Sequence, residues 1–173
     1  LYGSIMRITE GDLNFDFETD DGSLASKYDE WIFYRNHFCK IAESVKAIDF
    51  IYVDKKQRCT WLIEVKDYRH PQTEQIKPSE LADAVVLKVR DTLAGLVAAK
   101  CNANVDIEKQ IARAALKMSK INVVLHMEQI QRVWSIDPAD LKIKLQQKLK
   151  AIDAHLKIVN KDSLKSDMRW VVS

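Results

Sequence analysis

Two β-rich runs, 45–53 and 60–68, flank the polar stretch Asp54-Lys55-Lys56-Gln57-Arg58, and this pairing constrains the fold more than any other feature of the chain. Both runs are built from aliphatic, β-branched and aromatic residues, so they read as a hairpin. In Trp61-Leu62-Ile63-Glu64-Val65-Lys66, strand alternation sends Trp61, Ile63 and Val65 to one face and Leu62, Glu64 and Lys66 to the other. Glu64 and Lys66 therefore project together, roughly 7 Å apart along the strand. A turn centred on Lys56-Gln57 sets opposite each other residues whose numbers sum to 113, which pairs Asp49 with Glu64.

Directly opposed strand residues have Cβ atoms about 5 Å apart. Two carboxylates at that distance, inside otherwise apolar runs, repel each other, and burial raises at least one pKa unless a cation sits between them. A hard divalent ion with oxygen ligands resolves the conflict; magnesium fits, with manganese as the alternative. Lys66 beside the pair can hold an attacking water or a phosphate oxygen. The bland alternative is an exposed hairpin with these three side chains in a surface ion pair. The apolar flanks and the register favour the metal site.

Around this hairpin the chain alternates helical and strand patterns. Residues 6–17 alternate about Gly11-Asp12 and predict an N-terminal hairpin. Trp31, Tyr34, Phe38 and Ile41 recur at helical spacing, with Ser26 and Asp29 as a capping box, and predict a first helix over 26–42. Beyond the breakers Pro71 and Pro78, helices are expected over 79–99 and 104–117, a buried strand over 121–127, and a helix from Asp137-Pro138 to about Ile152. Segments 155–160 and 169–172 are short strands expected to finish the sheet. This order describes an α/β sandwich with a mixed sheet, in one domain: 1–22 as an N-terminal hairpin extension, 26–127 as the core, 138–173 as a C-terminal helix and strands.

Asp49 followed by Ile63-Glu64-Val65-Lys66, in a hairpin after a helix, resembles the core of the PD-(D/E)xK nuclease superfamily of restriction-endonuclease-like enzymes. The resemblance covers about residues 26–127, with Ile48 where the family's name-giving proline would stand. It implies a restriction-endonuclease-like three-layer sandwich, a central mixed β-sheet flanked by α-helices. It further implies a magnesium-dependent nuclease acting on DNA, with Asp49 and Glu64 as metal ligands, the Val65 carbonyl as a further ligand, and Lys66 assisting the nucleophilic water. Many members bring an acid from the first helix; Glu30 is the first candidate here and Asp29 the second. The products implied are a 5′-phosphate and a 3′-hydroxyl.

Arg69, His70 and Lys77 after the motif, and Lys55, Lys56 and Arg58 at the hairpin tip, are candidate phosphate contacts. Lys88 interrupts an apolar helix and is a further candidate, because the family often uses a polar residue from the helix after the motif. Trp134, beside Arg132, is the tryptophan to test for base stacking. Charge is uneven: residues 1–30 hold two basic and eight acidic side chains, residues 141–173 eight basic and three acidic, so the basic end can face a polyanion. Cys39, Cys59 and Cys101 show no disulfide or zinc spacing and read as reduced, packed thiols in an intracellular, cytoplasmic protein. The four histidines show no metal-ligand spacing, and Asp83, Lys88, Arg90 and Asp91 break the longest apolar stretch, so no membrane span is expected. The rival class is a catalytically inactive nucleic-acid- or protein-binding module on the same fold; dimerisation stays open.

Overall fold

The computed structural model of the chain describes residues 4–70, 76–130 and 135–173. Trp134 and Arg132, expected to form a stacking corner, and the breaker Pro71 lie outside the described residues. The central hairpin pairs β4 (Phe50–Asp54) with β5 (Cys59–Tyr68), Phe50 opposite Ile63 and Asp54 opposite Cys59. Each of these pairs sums to 113, the register that sets Asp49 against Glu64. β4 is shorter than the apolar run predicts. The N–H of Lys46 donates to Asp91 (2.9 Å) and that of Ile48 to the Thr92 hydroxyl (3.0 Å), so side chains of the following helix take the donors a longer ladder would need.

The expected first helix over 26–42 is corrected. Leu24–Lys27 forms β3, which takes the open edge of β4 antiparallel, and Ser26 accepts from the Trp31 indole (2.7 Å) in place of capping a helix. Tyr28–Glu30 is a 3-10 turn, and the α-helical stretch α1 is only Ile32–Asn36. Its first amides are met from far along the chain: the Glu108 carboxylate accepts from Ile32 (2.7 Å) and Phe33 (3.1 Å).

From β5 the chain crosses through α2 (Pro78–Asn102) and α3 (Asp106–Ala115) to β6 (Lys120–Gln129), parallel to β5 along its whole length. α4 (Pro138–Leu149), opened by Asp137 accepting from Ala139, leads to β7 (Lys157–Val159), parallel to β6. The sheet order is β3-β4-β5-β6-β7, a mixed sheet with helices packed on it. Leu62, Ile51, Val123 and Leu125 meet Leu81, Val85 and Val89 of α2 and Leu141 and Leu145 of α4.

The opposite face is covered by β-structure, where flanking helices were expected. β1 (Ile5–Glu10) and β2 (Leu13–Glu18) form the N-terminal hairpin, turning at Gly11 with φ 57°, and β8 (Trp170–Val172) pairs with β2. The segment 169–172 thus completes a three-stranded sheet and not the central one. Phe15, Phe17 and Trp170 pack on Phe50, Tyr52, Trp61 and Ile63, with Phe15 to Phe50 ring centres 4.9 Å apart and Trp61 to Trp170 5.2 Å. The layers are helices, mixed sheet and small antiparallel sheet. Among the described residues no helix is long and apolar enough to cross a membrane. Cys59 is buried, but Cys101 is exposed and so not the packed thiol expected.

Candidate active site

Alternation along β5 carries Glu64 and Lys66 to the helix-covered face with Leu62, while Val65 packs on the other side. Asp49, the residue before β4, comes up against this edge. Its Oδ2 accepts the Val65 backbone N–H at 2.7 Å. In an extended strand the N–H and C=O of one residue point to the same edge, so the Val65 carbonyl is presented toward Asp49 as well.

Glu64 is fully buried. Its Oε1 receives two ammonium groups, Lys88 Nζ at 2.6 Å from α2 and Lys66 Nζ at 2.9 Å. Lys88 also stands 3.7 Å from Asp49 Oδ1, so the lysine that interrupts the apolar helix bridges both acids. Glu64 Oε2 is buried with no hydrogen-bond partner, as is Asp29 Oδ1. Burial, then the Glu64 charge, pushes the Asp49 carboxyl up to about 7 against the opposing Lys88 and the Val65 N–H. Burial works to lower the Lys66 pKa, but Glu64 outweighs it and the ammonium is held above its ordinary value.

Of the two acids proposed from the first helix, the structure favours the second. Glu30 is half-exposed and pairs with Lys27 at 3.2 Å. Asp29 is the group whose pKa, raised by burial and then by Asp49, reaches about 6. Glu10, at the tip of the N-terminal hairpin, was not legible as a site residue. It pairs with Lys27 at 2.8 Å and its charge acts on Asp49, Asp29 and Lys66.

The candidate phosphate contacts divide. Lys88 joins the carboxylates. Arg69 is turned onto Asp67 (2.6 Å) and His70 onto Asp12 (3.2 Å), so the structure engages both with acids. Lys77 is exposed at the start of α2, roughly 16 Å along the helix from Lys88 by the rise per residue, and is not brought into the cluster.

Glu10 and Glu30 share Lys27, while Lys88 faces both Asp49 and Glu64 and Lys66 faces Glu64. Among the described residues no group of three or more His, Cys, Asp or Glu side chains is gathered tightly enough to hold a metal ion. Asp49, Glu64 and the Val65 carbonyl fit an ion that takes few protein ligands and keeps water or phosphate oxygens on its remaining positions, as magnesium does.

No family model matches the chain, and no solved structure matches it. The chain is 33% identical over 149 residues to a protein named cysteine--tRNA ligase from Neisseria meningitidis serogroup A / serotype 4A (strain DSM 15465 / Z2491). That alignment takes in 70% of this chain and 21% of the relative, so the chain spans about a fifth of the length of the curated protein it resembles.

Proposed function

We propose that the chain is a divalent-metal-dependent nuclease of the restriction-endonuclease-like class, hydrolysing phosphodiester bonds in DNA. The observation that carries this is the opposition of Asp49 and Glu64 under α2, with Asp49 pushed up to about 7 and one Glu64 oxygen buried without a partner. Such a pair is poorly satisfied by the protein alone and well satisfied by a cation.

Asp49, Glu64 and the Val65 carbonyl would hold magnesium or manganese, which when bound supplies a water of lowered pKa and a positive charge at the scissile phosphate. Lys66, kept protonated by Glu64, acts as a hydrogen-bond donor to the water or a phosphate oxygen and not as a base. Lys88 offers a second ammonium to the charge that builds on the phosphate oxygens. The Asp49 charge in turn raises Asp29, a second carboxyl beside the pair.

A second reading, a nucleic-acid-binding module without catalysis, is favoured by one observation: Glu64 Oε1 already carries two ammonium contacts. The test is incubation of labelled duplex, single-stranded and branched DNA, and of RNA, with magnesium, manganese or chelator, using the parent chain, Asp49→Ala and Lys66→Ala. RNA, tRNA included, is a necessary arm because the relative is by name a tRNA ligase. Cleavage that needs the metal and both side chains supports the nuclease. Binding without cleavage under every condition supports the module.

A further inference from the structure

α3 presents Lys109, Arg113 and Lys117 at intervals of four residues, the last just past its end, along a face turned away from the core. Across from them stands Lys55 of the β4–β5 turn, and the four cations with Gln110 line a groove of about 550 Å³ that has Asp106 at one margin. Among the described residues none of these four cations has a carboxylate partner. Two lysines of α4 differ: Lys144 lies 3.5 Å from Asp140 and Lys148 2.9 Å from Asp83. Both walls are held in place. The Arg58 carbonyl, at the end of the turn, accepts from the Ser119 amide and hydroxyl (3.0 Å each), and the Lys55 amide donates to Ser23 (3.0 Å).

We infer that this groove is a second nucleic-acid-binding surface, one that grips a phosphate backbone without reading bases. From Lys109 to Lys117 the helix advances about 12 Å, a length over which a duplex carries about seven phosphates. Three cations in line along that length, faced by a fourth, match a rod-shaped polyanion. A planar anionic membrane would meet only the rims of a groove. The groove lies roughly 20 Å from the carboxylates, six strand residues away along β4, so it holds backbone whether or not Asp49 and Glu64 support cleavage. The inference therefore goes beyond the nuclease reading.

The test measures binding in chelator, where metal-dependent cutting is off. Fluorescence anisotropy of labelled duplex DNA and of an RNA hairpin is followed from 50 to 300 mM salt for the parent, for Lys109→Ala/Arg113→Ala/Lys117→Ala, and for a charge-matched control, Lys142→Ala/Lys144→Ala/Lys148→Ala on α4. The groove triple is expected to bind DNA or RNA at least tenfold more weakly, with the log–log salt slope reduced by about 3. The control should change less than threefold. Equal losses in both triples, or no loss in the first, overturn the groove. So does binding to phosphatidylserine vesicles that depends on the three cations while neither nucleic acid binds. Should the triple melt below the parent, Lys55→Ala on the opposite wall is read instead, with a loss of threefold or more expected and an unchanged affinity overturning the proposal.

Discussion

Asp49 keeps its proton in the folded protein to a pH at which the unfolded chain has released it, and that difference has a sign. Its carboxyl titrates near 7, and an unfolded aspartate near 4. Between those values the native state binds more protons than the unfolded state, so stability falls as pH rises through the window and levels off above it. Asp29, raised to about 6, acts in the same direction. Asp49→Asn keeps an acceptor for the Val65 N–H and removes the charge. At pH 8 without metal it should be more stable than the parent by roughly 2 to 4 kcal/mol, the two converging near pH 4, while cleavage drops on the order of a thousandfold. Chemical denaturation across pH measures the first, and a curve parallel to the parent's would contradict it. Magnesium should stabilise the parent at pH 8 and leave Asp49→Asn unmoved. Lys88→Met removes an ammonium 2.6 Å from buried Glu64 and should cost about 1 to 3 kcal/mol, most of it recovered when Glu64→Gln is added, as a double-mutant cycle would read. The trio Asp49, Glu64 and Lys66 was legible because alternation and turn length are local rules. The choice of Asp29 over Glu30 was not, since it depends on torsions in a 3-10 turn that itself answers to Asp49: the Tyr28 amide donates to the Asp49 carbonyl at 2.8 Å.

At the scale of elements, the segments whose hydrophobic period ran unbroken, α2, α3, β5, β6 and α4, form where the pattern places them. The first helix shows why others do not. Its aromatic spacing is helical, yet residues 24–27 gain more by closing the edge of β4, and the chain leaves α1 at His37 and turns at Ser44 with φ 58°. No local signal distinguishes these outcomes, because the competing partner lies more than twenty residues on. Gly95 of α2 gives the matching test from the helix side. A methyl there would run into the Tyr28 hydroxyl and sit 3.2 Å from the Phe38 ring, so this glycine lets α2 lie down on Tyr28 and Phe38. Gly95→Ala should destabilise by about 1 to 3 kcal/mol in urea titrations, despite the helix-propensity gain of up to about 1 kcal/mol. Tyr28→Phe, which deletes a buried hydroxyl that lacks a partner, should restore much of the loss. A neutral Gly95→Ala would mean that α2 does not need this close approach.

For the molecule as a whole, the layer opposite the helices is assembled from both ends of the described chain and is clasped by one arginine. Arg169 reaches Asp54 at 2.9 Å, Asp21 at 2.7 Å and Glu18 at 3.0 Å, joining the central hairpin, the loop after β2 and β2 itself. Burial works against the Arg169 charge, but hydrogen bonds to Asp21 and Asp54 hold the guanidinium firmly protonated. Arg169→Met leaves buried Asp54 without its cation, with the Gln57 amide still donating to it, and should cost about 3 kcal/mol, seen as a lower denaturant midpoint. This layer was hidden from sequence reasoning because 169–172 is equally good as a strand of either sheet; only Phe15, Phe17 and Trp170 meeting across space decide it. The Arg169–Asp54 contact closes a loop of 115 residues. During synthesis Phe15 and Phe17 are available before the central hairpin is made, but Trp61 and buried Asp54 must wait for Trp170 and Arg169 until almost all of this length has emerged. Refolding of this layer should be paced by the docking of its C-terminal strand, a slow step set by chain closure and not by local propensity.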